Sequence, residues 1–173
     1  MEEINYLSTV EEVIPKIKSK GALLVAKSQE DKEMNVMTIG WTALGYIWRK
    51  PIMLVMVRKS RFTHQIIEKA ASFTVNVPAD LEEFGRVLDF CGSKSGREVN
   101  KFQECNLAIS PGQKVNTPII NFPGVHYEAK IVYKSAMNPD LLCPEYQEDI
   151  YADNVYHTFY FGEIMACYKK TTK

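Results

Sequence analysis

Asn35-Val-Met-Thr-Ile-Gly-Trp41 is the stretch of sequence that decides the fold. Small or polar residues at positions 36, 38 and 40 alternate with larger apolar residues at positions 37, 39 and 41. A period of two residues is typical of a β-strand whose two faces meet different surroundings. Gly40 in this pattern marks either a bulge or a close approach by a backbone or a ligand. The stretch therefore predicts a strand with one small, polar face.

Further strand-like runs lie on both sides of this stretch. Their length and apolar character predict strands at 21–28, 51–57, 73–77, 107–110, 125–135 and 157–168. Strands thus precede and follow a helical middle section, without the regular strand and helix alternation of a parallel α/β sheet. We expect a mainly β protein, an antiparallel barrel with attached helices.

Helices are expected mainly in the middle of the chain. An apolar stripe and two capping patterns predict them at 60–71, 80–90 and 96–105. Residues 91–95 are interpreted as the link between the last two. Ser8 with Glu11 predicts a first helix, which Pro15 should keep short.

Length and charge exclude several classes of protein. The chain has 173 residues, which fits one domain spanning 1–173. It carries 21 Lys+Arg and 21 Asp+Glu, so its net charge is zero and no general nucleic-acid binding is expected. The longest uncharged stretch, 34–48, is too short to span a membrane, and the acidic N-terminus is unlike a secretory signal. We expect a cytoplasmic protein with no membrane partner and with reduced cysteines.

Three segments combine small, polar and basic residues between apolar runs. Residues 38–43 offer hydroxyls and backbone amides to a flat heterocycle. Residues 58–63 place Arg58 and Arg61 at the start of a predicted helix, which suits a phosphate dianion, although an ordinary capped helix with solvated cations gives the same pattern. Residues 91–97 with Lys101 could close over an anionic ligand from a second helix start.

Other chemistries find little support. His64, His126 and His157 are isolated and no H-E-x-x-H or paired-cysteine motif occurs, so no metal site is expected. The G-x-S-x-G, G-x-G-x-x-G and Walker A patterns are also absent from the sequence. Cys91 has no histidine nearby in sequence to activate it, so a packing role is favoured over a nucleophilic one.

Five ordered blocks together resemble the flavin reductase-like family of FMN-binding split barrels, and its flavoredoxin-type members in particular. The blocks run from about residue 20 to 168 and comprise 35–41, Pro51 with 58–63, 73–77, 91–97 with Lys101-Phe102, and 157–164. The resemblance implies a six-stranded antiparallel Greek-key split β-barrel, a homodimer, and FMN in a groove near the dimer interface.

The same resemblance implies a set of cofactor-binding residues. The isoalloxazine edge would lie against Asn35, Thr38, Ile39, Gly40, Trp41 and Thr42. The ribityl phosphate would be held by Arg58, Ser60, Arg61 and Thr63. The pocket would be completed by Cys91, Gly92, Lys94, Ser95 and Lys101. His157 falls in the closing strand, where a catalytic and a structural role are both open.

The implied activity is hydride transfer from NAD(P)H to the flavin, with onward electron transfer. Lys94 or Lys101 is the candidate cation near the N1/C2 edge of the flavin. One alternative is an electron carrier without NAD(P)H activity of its own, which would meet a redox protein partner through the acidic segment 137–156. Another is a module that binds flavin or haem without turnover. Whether FMN is a prosthetic group or a substrate stays open.

Overall fold

The computed structural model describes residues 1–171, and its main feature is one antiparallel sheet. The ten strands are β1 (Glu2–Glu3), β2 (Ala22–Lys27), β3 (Met34–Ile39), β4 (Thr42–Ile47), β5 (Lys50–Arg58), β6 (Ser72–Pro78), β7 (Ile109–Ser110), β8 (Ile119–Ile120), β9 (Gly124–Ala136) and β10 (His157–Lys170). The five α-helices are α1 (Val10–Lys20), α2 (Phe62–Ile67), α3 (Leu81–Ser93), α4 (Lys101–Glu104) and α5 (Pro144–Ile150).

The strand order of the main sheet is β3-β2-β6-β9-β10-β5-β4, and β1 pairs with β10. All these pairs are antiparallel, and β7 with β8 forms a separate two-stranded sheet. The expected class, a mainly β split barrel with attached helices, is confirmed. The strand count is corrected from six to eight, because β1 and β4 also join the main sheet.

The sheet is buried on both faces over β2, which explains the unbroken apolar run there. Leu24 points into the barrel core with residues such as Phe73, while Leu23 and Val25 pack on the other face against Leu88 of α3. Strands buried on both faces are apolar throughout instead of alternating.

Two helix predictions are corrected. Pro15 lies inside α1 and does not shorten it. A proline at this position removes the backbone hydrogen bond to the carbonyl of Glu11, which is exposed. Val13 and Ile17 of the same helix pack into the core, and this packing outweighs the low helix propensity of proline. The link predicted at 91–95 begins later, since α3 continues through Ser93.

The helix expected at 96–105 is also shorter than predicted. Its ordered part, α4, begins after Asn100, whose side chain accepts hydrogen bonds from Phe102 N and Gln103 N. Ser95 instead caps a turn by accepting from Arg97 N. By contrast, Asp80 caps α3 as its pattern indicates, because it accepts from Glu82 N and Glu83 N.

The sequence did not predict β4, and its hairpin with β5 has an unusual turn. Ile47 pairs with Lys50, so only Trp48 and Arg49 form the loop. Their φ angles are 53° and 61°, the left-handed values that a two-residue type I′ turn requires at both positions. The Trp48 ring packs 6.0 Å from Tyr133 and 5.9 Å from Phe161.

Candidate functional site

An open groove lies where the end of β3, the end of β5 and the start of β10 meet. The pairing of β5 with β10 sets His157 directly opposite Arg58. The groove measures about 280 Å³, and its lining comprises Met37, Thr38, Ile39, Gly40, Trp41, Met56, Arg58, Arg61 and His157. Antiparallel pairing therefore brings the first and second predicted segments together with the closing strand.

His157 forms the floor of the groove beside an exposed tryptophan. The histidine is only 7% exposed, and its ring centroid is 5.0 Å from that of Trp41. Tyr151, just after α5, places its hydroxyl 2.8 Å from His157 Nδ1. Burial, followed by the charges of Arg58 and Arg61, lowers the pKa of His157 to about 4. His157 is therefore neutral at physiological pH.

The tyrosine hydroxyl selects between the two neutral forms of this histidine. Burial raises the pKa of Tyr151, so its hydroxyl keeps its proton. A phenol is a better donor than acceptor, and an unprotonated imidazole nitrogen is a good acceptor. We therefore assign Tyr151 as the donor to Nδ1, which leaves the His157 proton on Nε2.

This histidine gives the fold a defined sensitivity to acid. Its pKa is about 4 in the folded chain, below its ordinary 6.5, so the unfolded chain binds more protons between those pH values. The stability tied to His157 is present above pH 6.5 and is lost as the pH falls toward 4. From about pH 7.5 to about pH 5 this amounts to roughly 2 kcal/mol. Urea unfolding at both pH values should show that His157→Gln loses about 2 kcal/mol less than the parent chain; an equal loss would contradict the assignment.

Two arginines stand at one end of the groove. Arg58 Nη1 is 2.9 Å from Asp153 Oδ2, Arg58 Nη2 donates to the Ile150 carbonyl at 2.8 Å, and the guanidinium lies 5.4 Å from the Tyr151 ring centre. Arg61 Nη1 donates to the Gly92 carbonyl at 2.7 Å, near the end of α3. The carboxylate on Arg58 shows that this guanidinium is placed to take an anion.

Several polar residues of the predicted set form hydrogen bonds within or next to the walls of the groove. Asn35 Nδ2 donates to Thr63 Oγ1 at 2.9 Å, and both side chains are buried. Thr38 Oγ1 donates to the Leu88 carbonyl at 2.6 Å and Thr42 Oγ1 to the Leu54 carbonyl at 2.7 Å. These contacts tie β3, β4 and α2 to their neighbours and fix the shape of the groove.

The third predicted segment closes around the end of α3. Lys101 is buried and its Nζ donates to the Cys91 carbonyl at 2.7 Å, and burial lowers the pKa of this lysine. Burial raises the pKa of Cys91 to about 12, so its sulfur is a thiol that packs in the core, in line with the packing role favoured above. Gly92 contacts the wall at Thr38, while Ser60 and Lys94 are exposed and Ser95 is half-buried.

Four further residues lie in or beside the groove, and the sequence did not assign them to the cofactor site. Met37 and Met56 line it, and Tyr151 and Asp153 reach it from the segment after α5. The two methionines follow strand alternation and could have been found from it. The contacts of Tyr151 and Asp153 depend on how the segment folds back, and no local pattern marks them.

Two features are absent from the described residues, a metal-binding cluster and a membrane-spanning helix. Within residues 1–171 no group of three or more His, Cys, Asp or Glu side chains could hold a metal ion. In the same range no helix is long and apolar enough to cross a membrane.

A mainly β split barrel with attached helices is the fold of flavin reductase-like proteins. The family model for the flavin reductase like domain matches residues 17–173. The chain belongs to this family.

Individual relatives support the same fold. Flavoredoxin from Methanosarcina acetivorans is 26% identical, with 87% of this chain and 68% of that chain covered and a TM-score of 0.65. An NADH:FAD oxidoreductase of Streptomyces globisporus shares the fold at 18% identity, with 87% and 75% covered and a TM-score of 0.63. An uncharacterised protein of Pyrococcus abyssi is 29% identical over 136 residues, which is 78% of this chain and 65% of that protein. The chain matches 54% to 65% of the length of its curated archaeal relatives.

Proposed function

We propose that the chain, acting as one flavin reductase-like domain, binds FMN in the groove and transfers hydride from NAD(P)H to it, with onward electron transfer. The observation that carries this proposal is the convergence of the β3 end, both arginines and His157 on one groove. When bound, the flavin would supply the redox chemistry, and the protein would supply binding, orientation and electrostatics.

The side chains of the groove fit the parts of FMN. Arg58 and Arg61 are suited to the phosphate, because a guanidinium pairs well with phosphate oxygens and Arg58 already holds a carboxylate. The exposed Ser60 would add a hydroxyl group at the phosphate end of the groove. Trp41, Met37 and Met56 offer apolar surface to the ring system. Exposed Lys94 is the better placed of the two candidate lysines for the anionic edge of the reduced ring, since Lys101 is buried.

His157 would act as a neutral donor toward bound ligand. Tyr151 holds Nδ1, which leaves the Nε2 proton free for a carbonyl or ring nitrogen in the groove. A donor at that position would orient either the flavin or the nicotinamide without changing its own charge. His157 is in this role a binding residue rather than a proton shuttle.

A second copy of the chain would complete the groove. At about 280 Å³ the groove is near the lower limit of about 300 Å³ for small-molecule pockets, and it is open to solvent. A homodimer would supply the missing wall. We therefore include the dimer in the proposal, with the mass of the FMN-loaded protein in solution as its check.

The first experiment is a titration of the purified protein with FMN. Flavin fluorescence should be quenched with a micromolar dissociation constant, and absence of quenching would remove the proposal. Stopped-flow mixing of the loaded protein with NADH and with NADPH then tests the reaction. Rapid bleaching of the flavin absorbance is expected with at least one of the two nucleotides.

One observation favours an electron carrier as the second candidate. The segment 137–156 covers one end of the groove through Tyr151 and Asp153, and other acids on it, including Glu145 and Asp149, are exposed. An exposed acidic surface beside a flavin suits a basic redox protein. Slow bleaching by both nucleotides, together with rapid reduction by a protein donor, would favour this candidate.

The contact between Asp153 and Arg58 predicts a variant with tighter binding. Asp153→Asn removes the carboxylate that occupies Arg58, so the guanidinium becomes free for the phosphate. Exposed ion pairs contribute about 0.2–1 kcal/mol, so FMN affinity should rise roughly 1.4- to fivefold. Fluorescence titration measures this. Asp149→Asn, an exposed acid on the same segment, is the matched control and should leave the affinity unchanged.

A further inference from the structure

A second and larger cavity lies at the opposite end of the sheet from the groove. It measures about 560 Å³, and its walls are the loop after β2, the start of β6, the loop 112–117 and the outer face of β9. The pairing of β2 with β3 runs from Lys27 opposite Met34 to Ala22 opposite Ile39. The cavity is at the Lys27 end and the groove at the Ile39 end, roughly 17 Å away along the strands.

The lining of this cavity is strongly cationic. Four lysines contribute to it, Lys27, Lys32, Lys114 and Lys130, and no aspartate or glutamate is among its lining residues. Within residues 1–171 none of the four makes a salt bridge. In a chain with 21 basic and 21 acidic residues, four unpaired cations around one cavity are a local excess of positive charge.

The acids on the surrounding segments lie outside the cavity lining, and in the described residues all but the exposed Glu33 have other partners. Glu30 and Asp31 lie 3.2 Å and 3.5 Å from Lys69. The buried Glu128 accepts from Gln113 N, Lys114 N and Val115 N at 2.8, 2.6 and 3.0 Å. None of these carboxylates is among the lining residues, so the charged groups that line the cavity are all lysines.

The cavity is held by rigid parts of the fold. The hydrogen bonds to Glu128 tie the loop 112–117 to β9, and Thr117 Oγ1 donates to the Ser72 carbonyl at 3.0 Å. A side chain at Gly112 would meet Val115 O at 2.4 Å, so the loop also depends on glycine there. A wall fixed in this way holds the backbone at Lys114 and Lys130 in place before any ligand arrives, which lowers the backbone entropy lost on binding.

We propose that this cavity binds the polyphosphate group of a small molecule. Its volume lies within the range of about 300–1,000 Å³ for small-molecule sites. All its cations are lysines, which bind phosphates as point charges, and linked phosphates carry more negative charge than a tricarboxylate of similar size. Ser28, Gln29 and Asn116 add neutral hydrogen-bonding groups to the wall. The source of the phosphates is either inorganic tripolyphosphate or a nucleoside triphosphate.

Calorimetric titration of the full chain with inorganic tripolyphosphate, ATP and citrate tests the proposal. Tripolyphosphate should bind saturably at low salt and several-fold more weakly at about 0.15 M salt. ATP should bind at least as tightly, and a clear gain over tripolyphosphate would identify a nucleotide as the source. Citrate, which carries fewer negative charges than tripolyphosphate, should bind at least about tenfold more weakly. Citrate binding as tight as tripolyphosphate, or no saturable binding of tripolyphosphate, would overturn the assignment.

Matched double variants locate the site. Lys114→Ala with Lys130→Ala should weaken tripolyphosphate binding at least about tenfold. Lys18→Ala with Lys20→Ala removes the same charge from exposed positions on α1 and should change it less than about twofold. Equal losses in both double variants would mean unspecific attraction. Loss of binding in Arg58→Ala with Arg61→Ala would place the anion in the groove, and either result contradicts the proposal.

Discussion

Replacing Arg58 and Arg61 together by alanine is expected to raise the dissociation constant for FMN at least about a hundredfold. Each guanidinium is placed to form a charge-assisted hydrogen bond to the phosphate, and such bonds contribute about 1.5–3 kcal/mol each. The lower end of that range, for two bonds, already corresponds to roughly a hundredfold. Quenching of flavin fluorescence measures the constant directly.

Two further variants separate the phosphate contact from its alternatives. Arg58→Lys with Arg61→Lys keeps both charges but loses the planar fork, so its affinity should lie between those of the parent and the alanine variant. Arg86→Ala with Lys20→Ala removes two exposed charges elsewhere and should leave the affinity within about twofold. An alanine variant that binds FMN as the parent does would show that the phosphate lies elsewhere.

Gly162→Ala is expected to lower the free energy of unfolding by roughly 3 kcal/mol. A Cβ at this position in β10 would come 2.6 Å from Phe73 Cζ and 2.7 Å from Ala129 Cβ. Both neighbours are fully buried, so neither can move without disturbing the barrel core. For a chain of this size the melting temperature should fall by roughly 6–12 °C, as thermal unfolding followed by circular dichroism would show.

Gly45→Ala is the control for that substitution. Gly45 also lies within a strand, β4, but a Cβ there meets no atom within 4 Å. Its replacement should leave the melting temperature the same or slightly higher, because alanine restricts the unfolded chain. If both variants melted alike, a general glycine effect and not the contact with Phe73 would be responsible.

Much of the barrel could be predicted from the sequence because its strands show their pattern locally. The stretch 35–41 alternates, and the run at 22–26 is apolar throughout because both of its faces are covered. β4 was missed for the opposite reason. It is an edge strand with mostly exposed or half-buried residues, so its apolar side chains follow neither rule.

The groove was predictable only in part. Strand alternation and the basic residues after β5 pointed to Thr38, Arg58 and Arg61, and all three line the groove. Lys101 looked equally basic in the sequence, yet it is buried against the Cys91 carbonyl. Whether Lys94 or Lys101 is exposed depends on where α3 ends. The sequence suggested a turn at Gly92, but this glycine continues the helix. Tertiary contacts decide such cases, and local sequence does not contain them.

The turn between β4 and β5 shows where this chain could become more robust. Most two-residue hairpins of this type use Asn-Gly, because left-handed angles are unfavourable for other residues by about 1–2 kcal/mol each. This chain instead keeps Trp48 and Arg49 there, and gains in return an indole against Tyr133 and Phe161 on the protein surface. The left-handed angles of the two turn residues therefore lower the stability of the hairpin. Asn-Gly in place of Trp48 and Arg49 would adopt these angles more favourably and would also remove the indole contacts.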